Sequence, residues 1–433
     1  MAACPRKRET KYSWLVCVCA AITNGMTSSV FFSFGVFLPV FMKAFDESRE
    51  KTALLGSLTY FLGMFLCLLA GKICNRYGCR VSIIIGTISC IAALLVSSWA
   101  TGMTYLFISL PILYGLGIAL NLMACFLMVA LYFDKNRHLA LGFVAAGASA
   151  GYFVVAPIAQ ELISSFGWRN ALRIESGMLL CCGIATIIVF DTNVEADPNG
   201  CADACDSSRC IRHEKKYSWN NLKKTLNFCS LYYSVSVTTL FIVSLSHYSL
   251  PIHLVRSCEE VGISSSKSSY LYIGIGIGSF VAKIAAGKLC QFVKPIYVNQ
   301  ASSLFSGISA LTVSMSKSYI VLVIITVVFG LADGAFQSSY NSIALSTPDP
   351  QKRAYAYGGA NMVISLAFVL GPMITGRIAD LHSYKEAFIV SGVVTIVGAL
   401  VPFVLCFRRD SASQTRTNIL MEELVVFEKL SVV

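Results

Sequence analysis

Residues 70–74 read Ala70-Gly71-Lys72-Ile73-Cys74, and residues 286–290 read Ala286-Gly287-Lys288-Leu289-Cys290. Each segment follows an apolar run, the second of the first half in one case and the second of the second half in the other. A near-identical string at matching places in two halves reads as a duplicated unit. Working outward, runs of about 17–25 apolar residues, long enough to span a bilayer, lie near 13–41, 53–71, 81–99, 104–131, 139–163, 171–190, 229–254, 269–291, 296–315, 319–345, 356–376 and 387–407. The polar stretch 191–228, with Asp197-Pro198-Asn199-Gly200 inside it, divides them six and six. This predicts an all-α membrane protein of about twelve transmembrane helices in two six-helix halves. Its parts are an N-terminal segment 1–12, a half 13–190, a central loop 191–228, a second half 229–407 and a tail 408–433.

Composition points the same way. Of 433 residues 56% are hydrophobic and 13% charged, whereas a soluble domain carries roughly a quarter charged residues to cover its surface. The mean hydropathy of +0.68 belongs to a surface that meets lipid. The formal charge of +11 argues against nucleic-acid binding, because the basic residues sit in short turns between apolar runs and do not gather on one soluble face. Of the 17 cysteines, most lie inside apolar runs (among them Cys17, Cys19, Cys67, Cys90, Cys125, Cys181, Cys182 and Cys406), where a thiol behaves as a small hydrophobe. Arg6, Lys7 and Arg8 precede an apolar run too long for a signal peptide, so the first span is expected to stay in the protein.

Lys and Arg set orientation. Lys11, Lys72, Arg76, Arg80, Lys135, Arg137, Lys215, Lys216, Lys223, Lys224, Lys294, Lys352, Arg353, Arg408 and Arg409 all fall on one side if the spans alternate. An even number of spans, with both termini cytoplasmic, satisfies that pattern.

Two motifs carry a family resemblance. Gly71-Lys72-Ile73-Cys74-Asn75-Arg76-Tyr77-Gly78-Cys79-Arg80 resembles the loop G-x-x-x-D-R-x-G-R-R of the major facilitator superfamily, with Asn75 and Cys79 at two charged positions. Gly71, Arg76, Gly78 and Arg80 are the candidate cytoplasmic gating loop. Tyr132-Phe133-Asp134-Lys135-Asn136-Arg137-His138-Leu139-Ala140-Leu141-Gly142, continuing to Ala146-Gly147 and Gly151, resembles the fifth-span signature of the monocarboxylate transporter family. Gly167-Trp168-Arg169, Pro251-Ile252-His253-Leu254-Val255 and Asp380-Leu381-His382-Ser383-Tyr384 fit it too. The chain is thus identified as a diverged member of that family. The resemblance implies alternating access around a midplane site, residence in the plasma membrane, and a possible single-span accessory glycoprotein as partner.

The departures narrow what can be carried over. The family's first-span lysine falls at Phe32, and its eighth-span Asp and Arg at Ser279 and Lys283. One of three charges is kept, as a lysine, which places proton-coupled lactate or pyruvate transport in doubt.

An intramembrane charge costs a few kcal/mol and needs a partner or a task. Lys283 and Asp333, both in the C-terminal half, are expected to pair across the cavity, with Lys283 meeting an anionic or zwitterionic solute; the bland alternative is a snorkelling lysine and a structural aspartate. Gln337 lies one turn beyond Asp333 on the same face, followed by Tyr340 and Asn341. Asn24, Asn121 and Asn361 serve either as substrate contacts or as helix–helix glue. His247 and His253 are possible proton relays, His253 at the outer interface. Arg173 and Glu175 are expected to pair at the start of span six. Gly274, Gly276 and Gly278, inside a span and with no strand before them, read as packing glycines. Cys201, Cys205, Cys210 and His213 in the central loop match no usual zinc spacing. No cofactor, catalytic centre or metal site is expected. The function expected is secondary active or facilitative transport of a small organic anion such as a monocarboxylate. The alternatives are a uniporter of a neutral or zwitterionic solute, such as an aromatic amino acid or creatine-like compound, and a non-transporting partner or sensor on a carrier scaffold. The expected partners are that small-molecule solute and membrane lipid.

Overall fold

The structure, a computed structural model, describes residues 10–32, 34–47, 49–150, 154–190, 231–247, 249–263, 267–268, 270–345 and 350–401. The expectations placed on the central loop's thiols, on Arg408 and Arg409, and on the side chain of Phe32 lie outside the described residues. Every regular element among those described is a helix, as an apolar medium demands: with no water to pair with, each backbone N–H must find its carbonyl within its own segment.

In chain order the helices are α1 (Lys11–Phe32), α2 (Phe34–Phe45), α3 (Arg49–Phe65), α4 (Cys67–Tyr77), α5 (Cys79–Ser98), α6 (Met103–Ile108), a π-helical turn (Ser109–Tyr114), α7 (Gly115–Tyr132), α8 (Arg137–Ala150), α9 (Ala156–Val189), α10 (Leu231–His247), α11 (Ser249–Glu260), α12 (Leu271–Leu289), α13 (Pro295–Met315), α14 (Tyr319–Ala344), α15 (Pro350–Leu381) and α16 (Tyr384–Leu400). Sequence chemistry sets several boundaries. Gly78 takes φ +89° between α4 and α5, and Gly167 takes φ +77° where α9 kinks; side chains larger than hydrogen rarely adopt such angles. Pro295 opens α13, where a missing N–H is harmless. Ser383 caps α16 by accepting from the Glu386 amide at 3.3 Å, the first half of a capping box.

Grouped by the apolar runs they come from, these helices supply twelve legs, six before residue 190 and six after residue 231. Seven described stretches are long and apolar enough to cross a membrane on their own, and the pair Leu54–Phe65 and Cys67–Tyr77, bent by 43°, adds an eighth. Other legs fall short for local reasons. α8 is 14 residues long and α16 is 17, while α13 carries Asn299, Gln300 and five serines. The polar side chains of α13 are kept from lipid: Asn299, Gln300, Ser302, Ser303, Ser306 and Ser309 are all buried.

The halves meet along two seams, α8 against α12 and α15 against α3 and α4. Glycine makes both possible. A Cβ on Gly142 would lie 2.5 Å from the Lys283 carbonyl, and one on Gly287 2.8 Å from that of His138. In the other seam a Cβ on Gly358 would lie 2.7 Å from the Cys67 carbonyl, and one on Gly71 2.8 Å from that of Ala354. The two sets are one contact drawn twice: Gly287, Gly358, Lys283 and Ala354 each stand 216 residues beyond Gly71, Gly142, Cys67 and His138. The duplication read from two pentapeptides is therefore a structural two-fold, and its seam contacts lie toward the end of the bundle that carries the basic loops. Arg353 donates to the Ala130 carbonyl (3.5 Å) and Gln291 to Asn136 (3.0 Å) at that same end.

Gly142→Ala places a methyl against the Lys283 backbone and is expected to cost about 1–3 kcal/mol, the range for overpacking. Gly177→Ala, where nothing lies within 4 Å of the new carbon, serves as the control. Thermal unfolding of the two purified variants checks this: the midpoint falls for the first and holds or rises for the second.

Candidate functional site

At mid-depth, where α10, α12 and α14 face α8, the polar side chains form one hydrogen-bonded line. Lys283 Nζ donates to Ser149 Oγ at 2.6 Å. Ser149 Oγ and Ser279 Oγ lie 3.3 Å apart, and Ser279 donates to Asp333 Oδ2 at 2.7 Å. Asp333 Oδ1 meets His247 Nε2 at 2.7 Å and takes Gln337 Nε2 at 2.8 Å. His247 Nδ1 then meets Ser306 Oγ at 2.8 Å. Seven residues from five helices are linked, Gln337 as a branch at Asp333, and one of them, Ser149, comes from the opposite half.

The helices explain why these groups converge. Ser279 and Lys283 are four apart on α12, and Asp333 and Gln337 four apart on α14, so each pair shares a helix face. α12 and α14 lie close enough for that to matter because Gly278, Gly330 and Gly334 sit against the opposing backbone; a Cβ on Gly334 would run into the Ser279 carbonyl. Gly274 and Gly278 are thus packing residues, each against α14. The His247 ring is held between Phe329 and Phe336, with centroids at 4.9 and 5.2 Å. Those phenyl rings flank Asp333 on α14, which fixes the imidazole edge toward the carboxylate.

The direct ion pair expected between Lys283 and Asp333 is replaced by a relay through Ser149 and Ser279. Ser279, one turn before Lys283, occupies the near carboxylate oxygen, and the lysine instead reaches α8. Each charge is still close enough to act on the other. Lys283 is 3% exposed and has a hydroxyl partner in the interior, so it does not snorkel. The Asp333 side chain is 14% exposed, the accessible end of the line. A buried carboxylate with three donors is well satisfied, whereas an ammonium with three protons and one hydroxyl acceptor keeps capacity for an anion.

The remaining candidates separate into neighbours and bystanders. Tyr340 donates to Asn361 Oδ1 at 2.7 Å, and Tyr357 to Asn341 Oδ1 at 3.0 Å; these four join α14 to α15 beside the site. Tyr60 of α3 packs its ring on Phe368 of α15 at 4.9 Å and lies within reach of the Asp333 charge. Asn121 is bound to Thr27 and Thr87 inside the first half, and Asn24 to the Val144 carbonyl; both are helix–helix glue. Of the basic loop, Gly71 belongs to the seam and Gly78 to the turn, while Arg76 covers the Tyr77 ring at 5.3 Å. Arg80 is half-buried where α5 begins. His253 meets the Pro372 carbonyl at 3.0 Å, apart from the line. Arg173 and Glu175 do not pair. Two residues apart, they point to opposite sides of α9: Arg173 binds Ser98 and Asn170, and Glu175 faces inward.

Sequence reading raised His247 only as a relay and missed Ser149, Ser306 and Tyr60 altogether. Ser149 lay hidden among the small residues Ala146, Gly147 and Ala150, and nothing in one sequence marks it out. His247 was legible in principle, as an imidazole inside a span that needs a partner.

The model of the Major Facilitator Superfamily matches residues 16–348 and 226–427, and the chain belongs to that superfamily. Within it, the relatives are monocarboxylate transporters at low identity, as befits a diverged member. "Monocarboxylate transporter 3" of Gallus gallus is 26% identical over 422 residues, covering 90% of this chain and 77% of the relative. "Monocarboxylate transporter 12" of Rattus norvegicus is 25% identical over 429 residues (94% and 87%), and "Monocarboxylate transporter 10" of Mus musculus 24% over 438 (97% and 84%). The protein is a multi-pass membrane carrier of small organic solutes, not an enzyme.

Removing either member of the central pair strands the other. Asp333→Ala and His247→Ala are each expected to destabilise the protein, and their costs to be non-additive by about 1 kcal/mol or more, the coupling typical of contacting residues. A double-mutant cycle on thermal or denaturant unfolding in detergent measures it; simple additivity would mean that the short distance between the two groups carries no coupling energy.

Proposed function

We propose that this protein carries a small organic anion of the monocarboxylate type by alternating access, with Lys283 as the group that receives the carboxylate. The observation that carries the reading is the placement of the Lys283 ammonium, out of water, at the seam between the halves and held by one hydroxyl of the opposite half. A carboxylate at that ammonium forms a charge-assisted hydrogen bond in a low-dielectric setting, stronger than the neutral contact it would join or displace. Because Ser149 and Lys283 belong to different halves, a solute bound there senses whether they are together. That is the differential interaction a ligand needs in order to shift a conformational equilibrium.

Asp333 favours a second reading. Its partly accessible carboxylate stands two hydroxyls from the ammonium, so a zwitterion can place its carboxylate at Lys283 and its cationic group at Asp333. Residence in the plasma membrane, with the basic loops and both termini in the cytoplasm, belongs to the same proposal, as does a single-span accessory glycoprotein.

The test is uptake of a panel of labelled monocarboxylates and zwitterionic amino acids into liposomes holding the purified protein, with and without a pH gradient. Lys283→Met is expected to lower kcat/KM for the transported anion at least about tenfold, equivalent to ~1.4 kcal/mol. Asp333→Asn is expected to spare anions and impair zwitterions. Unchanged anion uptake by Lys283→Met would sink the assignment.

A further inference from the structure

Glu175 is the one fully buried carboxyl among the described residues, 3% exposed, and it takes no part in the line of groups that ends at Lys283. Neither of its oxygens has a hydrogen-bond partner. It sits in the part of α9 beyond the kink at Gly167, on the face that also turns Leu172 and Leu179 inward. Those leucines belong to an apolar cluster with Phe37, Phe41, Leu94, Leu110 and Tyr114. No Lys or Arg pairs with it among the described residues. Arg173, the nearest cation in sequence, is occupied on the outer face by Ser98, Asn170 and the Trp99 ring. The helices packed against α9 are α1, α2 and α5. The titratable groups on this side are the Cys90 thiol of α5 and the Tyr114 phenol of the π-helical turn; Tyr114 already donates to the Thr27 carbonyl of α1 at 2.9 Å. Lys43 of α2 is exposed.

An ionised carboxylate in such surroundings has nothing to offset its lost hydration, a penalty that neutralisation removes. A side chain that short cannot reach the membrane surface. We propose that Glu175 is a proton-binding site of the N-terminal half, occupied in this conformation and separate from the groups that meet the solute. Its surroundings suit a proton and nothing larger: the walls are apolar, and no cluster of metal-ligating side chains occurs among the described residues. The site also adjoins the π-helical turn Ser109–Tyr114, with Pro111 in it. Such a turn frees backbone carbonyls and gives way locally, a route for the proton to be exchanged as α6 and α7 move. Asp333 is poorly placed for that task, because three donors hold its charge in place.

The test needs no knowledge of the solute, so its failure is distinct from a failure of the carrier assignment. Full-length protein in lipid vesicles is treated with a hydrophobic carbodiimide, which reacts with protonated carboxyls in apolar surroundings, and the modified peptide is found by mass spectrometry. The expected result is modification of Glu175 at neutral pH that declines as pH rises and is absent in Glu175→Gln. Infrared difference spectra of the unlabelled wild type supply a second readout: a carboxylic-acid carbonyl stretch at neutral pH that Glu175→Gln removes. An unmodified Glu175 peptide at every pH, or an infrared band unchanged by the substitution, overturns the proposal.

Discussion

A lysine ammonium held out of water governs the centre of this molecule. Its desolvation has to be offset locally, and the structure does so through a hydroxyl from one half and a nearby carboxylate from the other helix of a tightly packed pair. The carboxylate in turn needs donors, which His247, Ser279 and Gln337 provide, and the imidazole needs its own clamp and acceptor, which Phe329, Phe336 and Ser306 supply. One buried charge thus dictates the identity of side chains on five helices. The glycines of α12 and α14 follow from the same demand, since two backbones any further apart would leave Ser279 short of Asp333.

The pseudo-two-fold makes this asymmetry plain. Backbone contacts at the two seams repeat with a constant spacing of 216 residues, so the scaffold is a duplicated object. The chemistry is not duplicated. The counterpart of Lys283 is Cys67 and that of Ser279 is Gly63, both apolar or nearly so. The buried polar line is gathered in the second half, while the first half contributes Ser149, the Tyr60 ring beside it, and, at a distance, Glu175. A carrier built this way can rock as two equivalent bodies while binding through one of them.

Much of this was legible in the chain. Apolar runs of about twenty residues fix the helical class, because a run of that length and character satisfies its backbone in a bilayer as a helix. The one-sided placement of Lys and Arg fixes how the spans alternate. The repeated pentapeptide marks the duplication, and two of the four seam glycines, Gly71 and Gly287, fall inside it. Lys283, Asp333 and Gln337 stood out because a charge in an apolar run demands a reason. What stayed hidden was partnership. Sequence spacing relates residues within a helix, and so it yields Ser279 with Lys283 and Asp333 with Gln337. It says nothing about which neighbour on another helix intervenes, and the serine relay in place of a direct ion pair is such a case. The supposed Arg173–Glu175 pair failed on a rule that spacing does supply, since residues two apart on a helix face away from one another.

The serine-rich leg α13 has a consequence for how the protein is made. Asn299 reaches Ser339 and the Phe336 carbonyl of α14, Gln300 reaches toward the Ala399 carbonyl of α16, and Ser306 meets His247 of α10. Alone in lipid, that leg would present these groups to hydrocarbon, and its hydropathy gives it little incentive to leave the translocation channel unaided. Its polar face is a docking code met in part by α10, which precedes it, and completed only when α14 and α16 arrive. Biogenesis of the second half is therefore a cooperative event, in which α13 waits for α14 and α16 before the bundle seals.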